Sequence, residues 1–471
     1  MQDVSVEGLR EAVTRHGAVR AVGRVRAVEG GVIRVSGLAR IARVGDRLSL
    51  VRDTGAEVPG EVLKLSGDMI EMLPDDAVDG VGLDDRVRLL GSRDIAPCDA
   101  WIGRVIDPFG RPLDERPLPR GPGPRALRTP PPAPARRKAL GARLETGLRV
   151  FNTLLPIVCG QRIGLFAGSG VGKSSLLAHF ARALEADVVV IALVGERGRE
   201  LRDFVETVLG ADGMARAVVV AATSDQPAVV RRRCAWAAMC VAEHFRDQGR
   251  HVVFLADSVT RFAEAHREVA TAAGEAPVLR GYPASTAHAI MALCERAGPG
   301  PRGAGDITAV FTVLVAGSDM EEPVADILRG VLDGHVVLER AIAERGRYPA
   351  IDLLRSVSRS LPGAASAQEN ALIAKAREAL GTYARSETMI RAGLYAPGND
   401  AELDGAVEAW PALDAFLAEP EPQDARHSFD RLALLLRRTM GATAAGSTTV
   451  AAPGTSAAVA GFGRAPDMPG G

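Results

Sequence analysis

One short segment, AGSGVGKS at residues 167–174, constrains this chain more than any other. It follows an apolar stretch at 162–166 that predicts a β-strand, and it leads into residues 175–184, whose pattern predicts a helix. A strand, a glycine-rich loop and a helix in this order match the phosphate-loop pattern, with Ala167 at a first position that tolerates alanine instead of glycine. The segment therefore predicts a site for a nucleoside triphosphate.

The residue types in this loop suit phosphate chemistry. Glycines let backbone N–H groups close around phosphate oxygens, and the N-terminus of the helix adds partial positive charge. Lys173 would bring a compact ammonium to the β- and γ-phosphates, and the hydroxyl of Ser174 would ligate Mg²⁺. Because only four of the 57 basic residues are lysine, a lysine here indicates chemical need. The predicted phosphate-binding residues are Gly168, Ser169, Gly170, Val171, Gly172, Lys173, Ser174 and Ser175.

The region around the loop has the pattern of an α/β fold. From residue 160 to about 361, apolar strands alternate with helical stretches, which is typical of a parallel sheet covered on both faces. The predicted strands of this sheet are 162–166, 188–194, 217–222, 251–256 and 307–315.

The segments on either side have different patterns. Short Val/Ile/Leu alternations between residues 18 and 90 are interrupted by Gly and Asp and predict a small β-barrel. Beyond residue 364 the Ala/Leu/Glu/Arg pattern predicts helices at 367–379, 384–392, 403–417 and 428–440. The predicted regions are a partner-docking helix at 1–17, the barrel at 18–92, the phosphate-loop domain at 93–361 with a Pro/Arg-rich connection at about 111–138, a helical domain at 362–441 and a disordered tail at 442–471.

Two carboxylates are predicted to complete the site. Asp257 ends the apolar run 251–256, and the carboxyl ends of parallel strands lie beside the phosphate loop, so Asp257 can hold Mg²⁺ through water. Glu196 follows the strand 188–194 and could orient an attacking water, with Arg197 as a nearby charge partner. From the residues alone, a solvated charged loop explains Glu196 equally well.

Charge and cysteine usage exclude several classes of protein. The 57 basic and 58 acidic residues give a net charge of −1, so no global field draws the chain to nucleic acid or to a membrane. The five cysteines include no CxxC pair, which indicates reduced thiols of a cytosolic protein rather than a disulfide framework or a zinc site. No targeting segment is visible, and the longest apolar run, 234–242, is too short to span a membrane. We expect a cytoplasmic protein.

Longer stretches resemble the hexameric ATPase family of rotary ATP synthases. They are the phosphate loop, VGERGRE (194–200), DSVTRFAEAHRE (257–268) and PAIDLLRSVS (349–358). Within this family, further segments resemble the flagellar and type III secretion ATPases. These segments are 160–177, 317–352 and 389–404, and the whole resemblance covers about residues 18–440.

The resemblance implies a homohexameric ring whose active sites, each binding ATP and Mg²⁺, lie between neighbouring subunits. It assigns the catalytic carboxylate to Glu196 and the neighbouring arginine to Arg197. Arg359 would be an arginine finger that reaches into the next subunit's site, and Tyr348 would stack on the adenine base. Arg261 is a further candidate, as a sensor of the γ-phosphate.

The same resemblance implies an ATP hydrolase that supports protein export through the flagellar type III secretion apparatus. It would act at the inner face of the cytoplasmic membrane, with only peripheral membrane contact. The expected partners are other copies of the chain, the flagellar export regulator, stalk and export-gate proteins, and export chaperone–substrate complexes, but not nucleic acid.

Other functions share this ATPase core. An injectisome ATPase of a virulence secretion system would have identical chemistry and different clients, so the chemistry leaves that alternative open. A ring that translocates RNA predicts aromatic residues for base stacking on its barrel, yet residues 18–90 contain no Phe, Tyr or Trp. A non-catalytic subunit of a rotary synthase would be expected to lack the carboxylate of Glu196.

Overall fold

Six short strands at the N-terminal end close into a barrel. The computed structural model describes residues 20–92, 94–315 and 320–440, so the predicted docking helix (1–17) and tail (442–471) lie outside the described residues. The barrel strands are β1 (Val22–Glu29), β2 (Val32–Ser36), β3 (Arg47–Val51), β4 (Glu57–Ser66), β5 (Met69–Pro74) and β6 (Arg86–Gly91). Their order is β1-β2-β5-β4-β3-β6, and β1 closes the barrel by pairing with β6.

The barrel closes because its strands alternate between apolar and polar residues. In β5, for example, Ile70 and Met72 point inward and are fully buried, whereas Glu71 lies between them on the outer face. The interior is filled by aliphatic side chains from every strand, among them Val25, Ile33, Val35, Leu48, Leu50, Val58, Val62 and Val87. No aromatic ring is needed to fill a barrel of this size.

A nine-stranded sheet forms the middle of the molecule. Its strands, together with the separate hairpin β12–β13, are β7 (Arg104–Ile106), β8 (Arg162–Ala167), β9 (Val188–Glu196), β10 (Ala217–Thr223), β11 (Val252–Asp257), β12 (Pro277–Leu279), β13 (Tyr282–Pro283), β14 (Gly298–Pro299), β15 (Asp306–Leu314), β16 (Gly334–Leu338) and β17 (Ile351–Ser358). The order is β17-β16-β8-β15-β11-β9-β10-β7, with β14 paired to β15. Neighbours from β16 to β7 are parallel, so β8, β9 and β11 end at one edge.

Helices cover both faces of this sheet. They are α1 (Arg149–Asn152), α2 (Lys173–Ala183), α3 (Gly198–Asp203), α4 (Gly210–Met214), α5 (Ala228–Asp247), α6 (Val259–Ala272), α7 (Ser285–Glu295), α8 (Pro323–Val331), α9 (Arg340–Glu344), α10 (Ala367–Arg391), α11 (Ala401–Phe416) and α12 (Ala425–Met440). A π-helix, Phe204–Leu209, follows α3. Strand β9 is buried from Val188 to Gly195, with Val189 and Ile191 facing the core of α2 and Val190 and Ala192 facing that of α5.

The C-terminal helices pack on the α2 side of the sheet. The first of them, α10, starts at a capping box in which Ser366 and Glu369 satisfy each other's backbone N–H groups. The prediction of two helices over 367–392 is wrong, because α10 continues without a break through Gly381. Packing holds this stretch in the helix, since the ring of Tyr383 stacks on Trp410 of α11 at a centroid distance of 4.6 Å.

The Pro/Arg-rich stretch 111–138 lies along the nucleotide-binding region. Its only helical piece is a short 3-10 turn, Pro134–Arg136. It is held at one end by the Trp101 indole, which donates to the carbonyl of Pro119 at 2.7 Å, and along its length by side chains such as Thr129, which donates to Glu243. Among the described residues, no helix is both long and apolar enough to cross a membrane.

Candidate active site

The phosphate loop connects β8 to α2 at the carboxyl edge of the sheet. Strand β8 ends at Ala167, and α2 begins at Lys173. Gly170 and Gly172 have φ values of 77° and 89°, a conformation that residues with a Cβ rarely adopt. The backbone path, which wraps around the position where a phosphate would bind, therefore requires glycine at positions 170 and 172.

A cleft of about 940 Å³ opens directly above this loop. Most of the predicted loop residues line it, and Val171 is the exception because its side chain is buried in the core. The remaining walls come from the end of β9, the first turn of α6, the β12–β13 hairpin and the start of α8. The predicted residues that line the cleft are Gly168, Ser169, Gly170, Gly172, Lys173, Ser174, Ser175, Glu196, Arg197 and Arg261.

Lys173 and Asp257 form an ion pair at the floor of the cleft. Lys173 Nζ lies 2.5 Å from Asp257 Oδ1, and the Asp257 side chain is only 5% exposed. The hydroxyl of Thr312, on β15, donates to the same oxygen at 2.8 Å. Sequence reasoning missed Thr312, although it is one of only two hydroxyl residues in the otherwise apolar stretch 307–315.

The residues at this position fit Mg²⁺. The Ser174 hydroxyl is exposed on the first turn of α2, and the buried carboxylate of Asp257 pairs with the ammonium of Lys173. Ser174 and Asp257 also line a smaller cavity of about 140 Å³ that continues behind the cleft. Hard oxygen donors of this kind, together with phosphate oxygens and water, are what Mg²⁺ prefers, since it seldom takes a cage made only of protein ligands.

Glu196, at the end of β9, occupies a half-buried position between these groups and the cleft. Burial and the nearby charge of Asp257 raise the pKa of Glu196 to about 7, although the charge of Lys173 opposes this. A carboxyl group with such a pKa is poised to exchange a proton near neutral pH.

The charge partner of Glu196 is Arg261 rather than Arg197. Arg261 Nε lies 3.4 Å from Glu196 Oε1, and its side chain passes over Gly195, where a Cβ would come within 3.1 Å of it. The Arg197 side chain is 73% exposed and pairs with Glu200 at 3.3 Å. Adjacency in the sequence suggested that Glu196 pairs with Arg197. The observed pairing with Arg261 depends instead on how α6 packs beside β9.

Tyr348 lies against the phosphate loop. A Cβ on Gly172 would be only 3.2 Å from Tyr348 Cδ1, so the ring contacts the glycine that immediately precedes α2. The side chain is 51% exposed, which leaves part of the ring available to a ligand.

Arg359 lies at the opposite edge of the sheet. Its backbone N–H donates to Asp333, next to the start of β16, whereas Leu338 at the end of β16 pairs with Ala167. The rise of four residues along β16, from Gly334 to Leu338, separates Arg359 from the level of the phosphate loop by about 13 Å. Arg359 is exposed, donates to the carbonyl of Arg329 and does not line its own cleft.

Barrel, phosphate-loop sheet and C-terminal helices together define an ATPase of the ATP synthase alpha/beta class. Residues 147–358 match the nucleotide-binding domain of the ATP synthase alpha/beta family. Residues 365–434 match the C-terminal domain of the type III secretion ATPase EscN. The predicted α/β fold with an N-terminal barrel and C-terminal helices is thus confirmed.

Full-length relatives define the family more narrowly. The flagellum-specific ATP synthase of Caulobacter vibrioides is 45% identical over 89% of this chain and 96% of its own length. The flagellum-specific ATP synthase of Salmonella typhimurium is 43% identical over 85% and 90%. The chain belongs to the family of flagellum-specific ATP synthases, which confirms the predicted resemblance and ATP hydrolase activity.

Solved structures agree with this assignment. The assembled ATPase EscN from the type III secretion system of enteropathogenic E. coli matches 88% of this chain and all of its own, with a TM-score of 0.81 and 35% identity. EscN in complex with its central stalk EscO matches with a TM-score of 0.79 and 35% identity over the same shares.

Proposed function

We propose that this chain hydrolyses MgATP as one subunit of a homohexameric ring that supports flagellar protein export. One observation carries the proposal: the residues needed for catalysis are split between two opposite edges of the sheet. Lys173, Asp257 and Glu196 surround the cleft, whereas Arg359 is directed away from it. A single chain therefore holds an incomplete site that a neighbouring subunit can complete.

Binding begins with a change of partner for Lys173. In the structure its ammonium neutralises Asp257, and ATP would offer it the β- and γ-phosphate oxygens instead. The N–H groups from Gly168 to Ser175 would cradle the phosphates, and Tyr348 would stack on the adenine. Bound Mg²⁺, held by Ser174 and, through water, by Asp257, would neutralise charge on the β- and γ-phosphates.

Hydrolysis requires a base for the attacking water. Glu196, as a carboxylate, accepts a proton from the water while the water oxygen bonds to the γ-phosphorus and the bond to the bridging oxygen of ADP breaks. Arg197 and Arg261 flank this position, the first near the cleft mouth and the second in contact with Glu196. Arg359 of the adjacent subunit would stabilise the charge that develops on the transferring phosphoryl group.

Export partners follow from the relatives. EscN has been solved as an assembled ATPase and in complex with its central stalk EscO, which supports ring assembly and a stalk partner for this chain. The flagellum-specific relatives support the flagellar system over the injectisome as the site of action. We extend the partners to the export regulator, the gate proteins and chaperone–substrate complexes, at the inner face of the cytoplasmic membrane.

The test is ATP hydrolysis as a function of protein concentration. Specific activity of the wild type should rise with concentration as rings form, and single-stranded RNA should not change it. Arg359→Ala should still bind ATP and form rings but lose about 10³-fold in rate. Arg340→Ala is a matched control, because Arg340 is exposed and pairs with Glu344 of its own helix. Full activity in Arg359→Ala would refute the shared site.

A further inference from the structure

The loop that presents Tyr348 is in contact with the C-terminal helices. We call residues 345–351 the base loop, since Tyr348 lies at its centre and leads into Pro349. Arg345 and Arg347 both extend from this loop toward α11. Tyr348 itself turns the other way, onto Gly172 of the phosphate loop. The base loop therefore contacts the phosphate loop on one side and the helical domain on the other.

Arg347 gives the base loop its shape. Its Nη1 donates to the carbonyl of Pro349 at 3.0 Å and its Nη2 to the carbonyl of Ile351 at 2.8 Å. These two bonds close the loop immediately after Tyr348. The guanidinium is 9% exposed, and burial lowers the pKa of Arg347, so its orientation depends on a countercharge.

The countercharge comes from α11. Asp414 Oδ1 lies 3.1 Å from Arg347 Nε and 3.7 Å from Arg345 Nη2. One turn earlier on the same face of α11, the ring of Trp410 lies under the Arg345 guanidinium at 5.5 Å. Two residues of one helix thus hold the two arginines that precede Tyr348 in the base loop.

We propose that Asp414 is a positioning residue for nucleotide recognition, which acts through Arg347 to hold Tyr348 against the phosphate loop. The affinity of the site for the nucleotide base then depends on the placement of the helical domain. This inference rests on the proposed stacking role of Tyr348. It also provides a route by which a protein bound to the C-terminal helices changes ATP affinity without contacting the cleft.

The experiment compares a nucleoside triphosphate with a triphosphate that has no nucleoside. ATP and inorganic tripolyphosphate compete with a fluorescent ATP analogue for the full-length protein, and the ratio of the ATP to the tripolyphosphate dissociation constant reports the contribution of the nucleoside, which includes the base. Asp414→Asn keeps the side-chain shape and removes the charge. We expect it to weaken ATP about tenfold and to leave tripolyphosphate unchanged. Glu408→Gln, at an exposed position of the same helix, should change neither.

The outcomes separate this proposal from its premise. If Tyr348→Ala leaves the ratio unchanged, the stacking role of Tyr348 fails. If Tyr348→Ala raises the ratio of the ATP to the tripolyphosphate dissociation constant and Asp414→Asn does not, only the link through Asp414 is overturned. Equal weakening of ATP and tripolyphosphate by Asp414→Asn would show a general structural role and would also overturn it.

A double variant tests whether Asp414 acts through Arg347. Arg347→Gln alone should reproduce the loss of ATP affinity, and adding Asp414→Asn should cause no further loss, because both act through one ion pair. A further loss would show that Asp414 acts by another route. Should Asp414→Asn fail to fold, Asp414→Glu keeps the charge but shifts the carboxylate, and it should weaken ATP selectively by a smaller factor.

Discussion

At the scale of single residues, the site depends on charges that are compensated in pairs. Asp257 is buried beside Lys173, and Glu196 is half-buried beside Arg261. In each pair, the cationic side chain could exchange its carboxylate partner for a phosphate oxygen when ATP binds. The loop motif and the two carboxylates could be predicted from the sequence, because a strand followed by a glycine-rich turn or an acidic residue has a local pattern. The Glu196–Arg261 pair could not, since it joins separate elements.

Replacing Glu196 tests its role as the base. Glu196→Gln should retain ATP binding and lose hydrolysis by about 10²–10⁴-fold, because the amide cannot accept the proton of the attacking water. Single-turnover hydrolysis and equilibrium binding of ATP measure the two effects separately. Glu206→Gln is the control, since Glu206 is exposed and pairs with Arg202. Turnover at the wild-type rate in Glu196→Gln would remove Glu196 from the mechanism.

The raised pKa of Glu196 predicts a pH dependence. Below its pKa of about 7 the carboxyl group is protonated and cannot act as a base, so kcat/KM should fall as the pH decreases through this value. Above it, the profile should level off. Glu196→Gln should lose this inflection while keeping its low residual rate. An unchanged inflection in the variant would assign the titration to another group.

At the scale of elements, prediction succeeded where one element carries its own pattern. Strand β8 was predicted at 162–166 and ends one residue later, at Ala167, since its apolar run leads directly into the glycine-rich loop. Strands β16 and β17 were not predicted, because polar residues such as His335 and Asp352 interrupt their apolar patterns. These segments become strands through their pairing with each other and with β8. The prediction of a break within α10 was wrong because tertiary packing, which a local pattern does not show, outweighs the low helix propensity of Gly381.

The capping box of α10 makes a separate prediction about stability. Ser366→Ala removes the side-chain acceptor of the Glu369 N–H and should lower the free energy of unfolding by about 1 kcal/mol. Ser386→Ala, inside the same helix, should not be destabilising, because alanine has the higher helix propensity. Urea unfolding followed by circular dichroism compares the two. Equal stability of both variants would show that the cap contributes nothing.

At the scale of the whole molecule, the phosphate-loop cleft lies at one edge of the sheet, and Arg359, the proposed finger, lies at the opposite edge. The sequence alone suggested a finger at Arg359 only through family resemblance, since one more arginine among many carries no signal of its own. The sheet topology adds a physical reason, because antiparallel β17 ends at the level where parallel β16 begins. A site completed by a neighbour makes hydrolysis depend on ring assembly, which limits ATP use by isolated subunits.

Mixing two inactive variants tests this division most directly. Lys173→Ala lacks the phosphate-binding lysine and keeps Arg359, whereas Arg359→Ala has the opposite defect. In an equal mixture, about a quarter of the interfaces would join an intact cleft to an intact finger, so the account predicts recovery of up to about a quarter of wild-type activity. Size-exclusion chromatography of the mixture verifies that rings form. No recovery in mixed rings, with each variant inactive alone, would contradict a finger supplied by the neighbouring subunit.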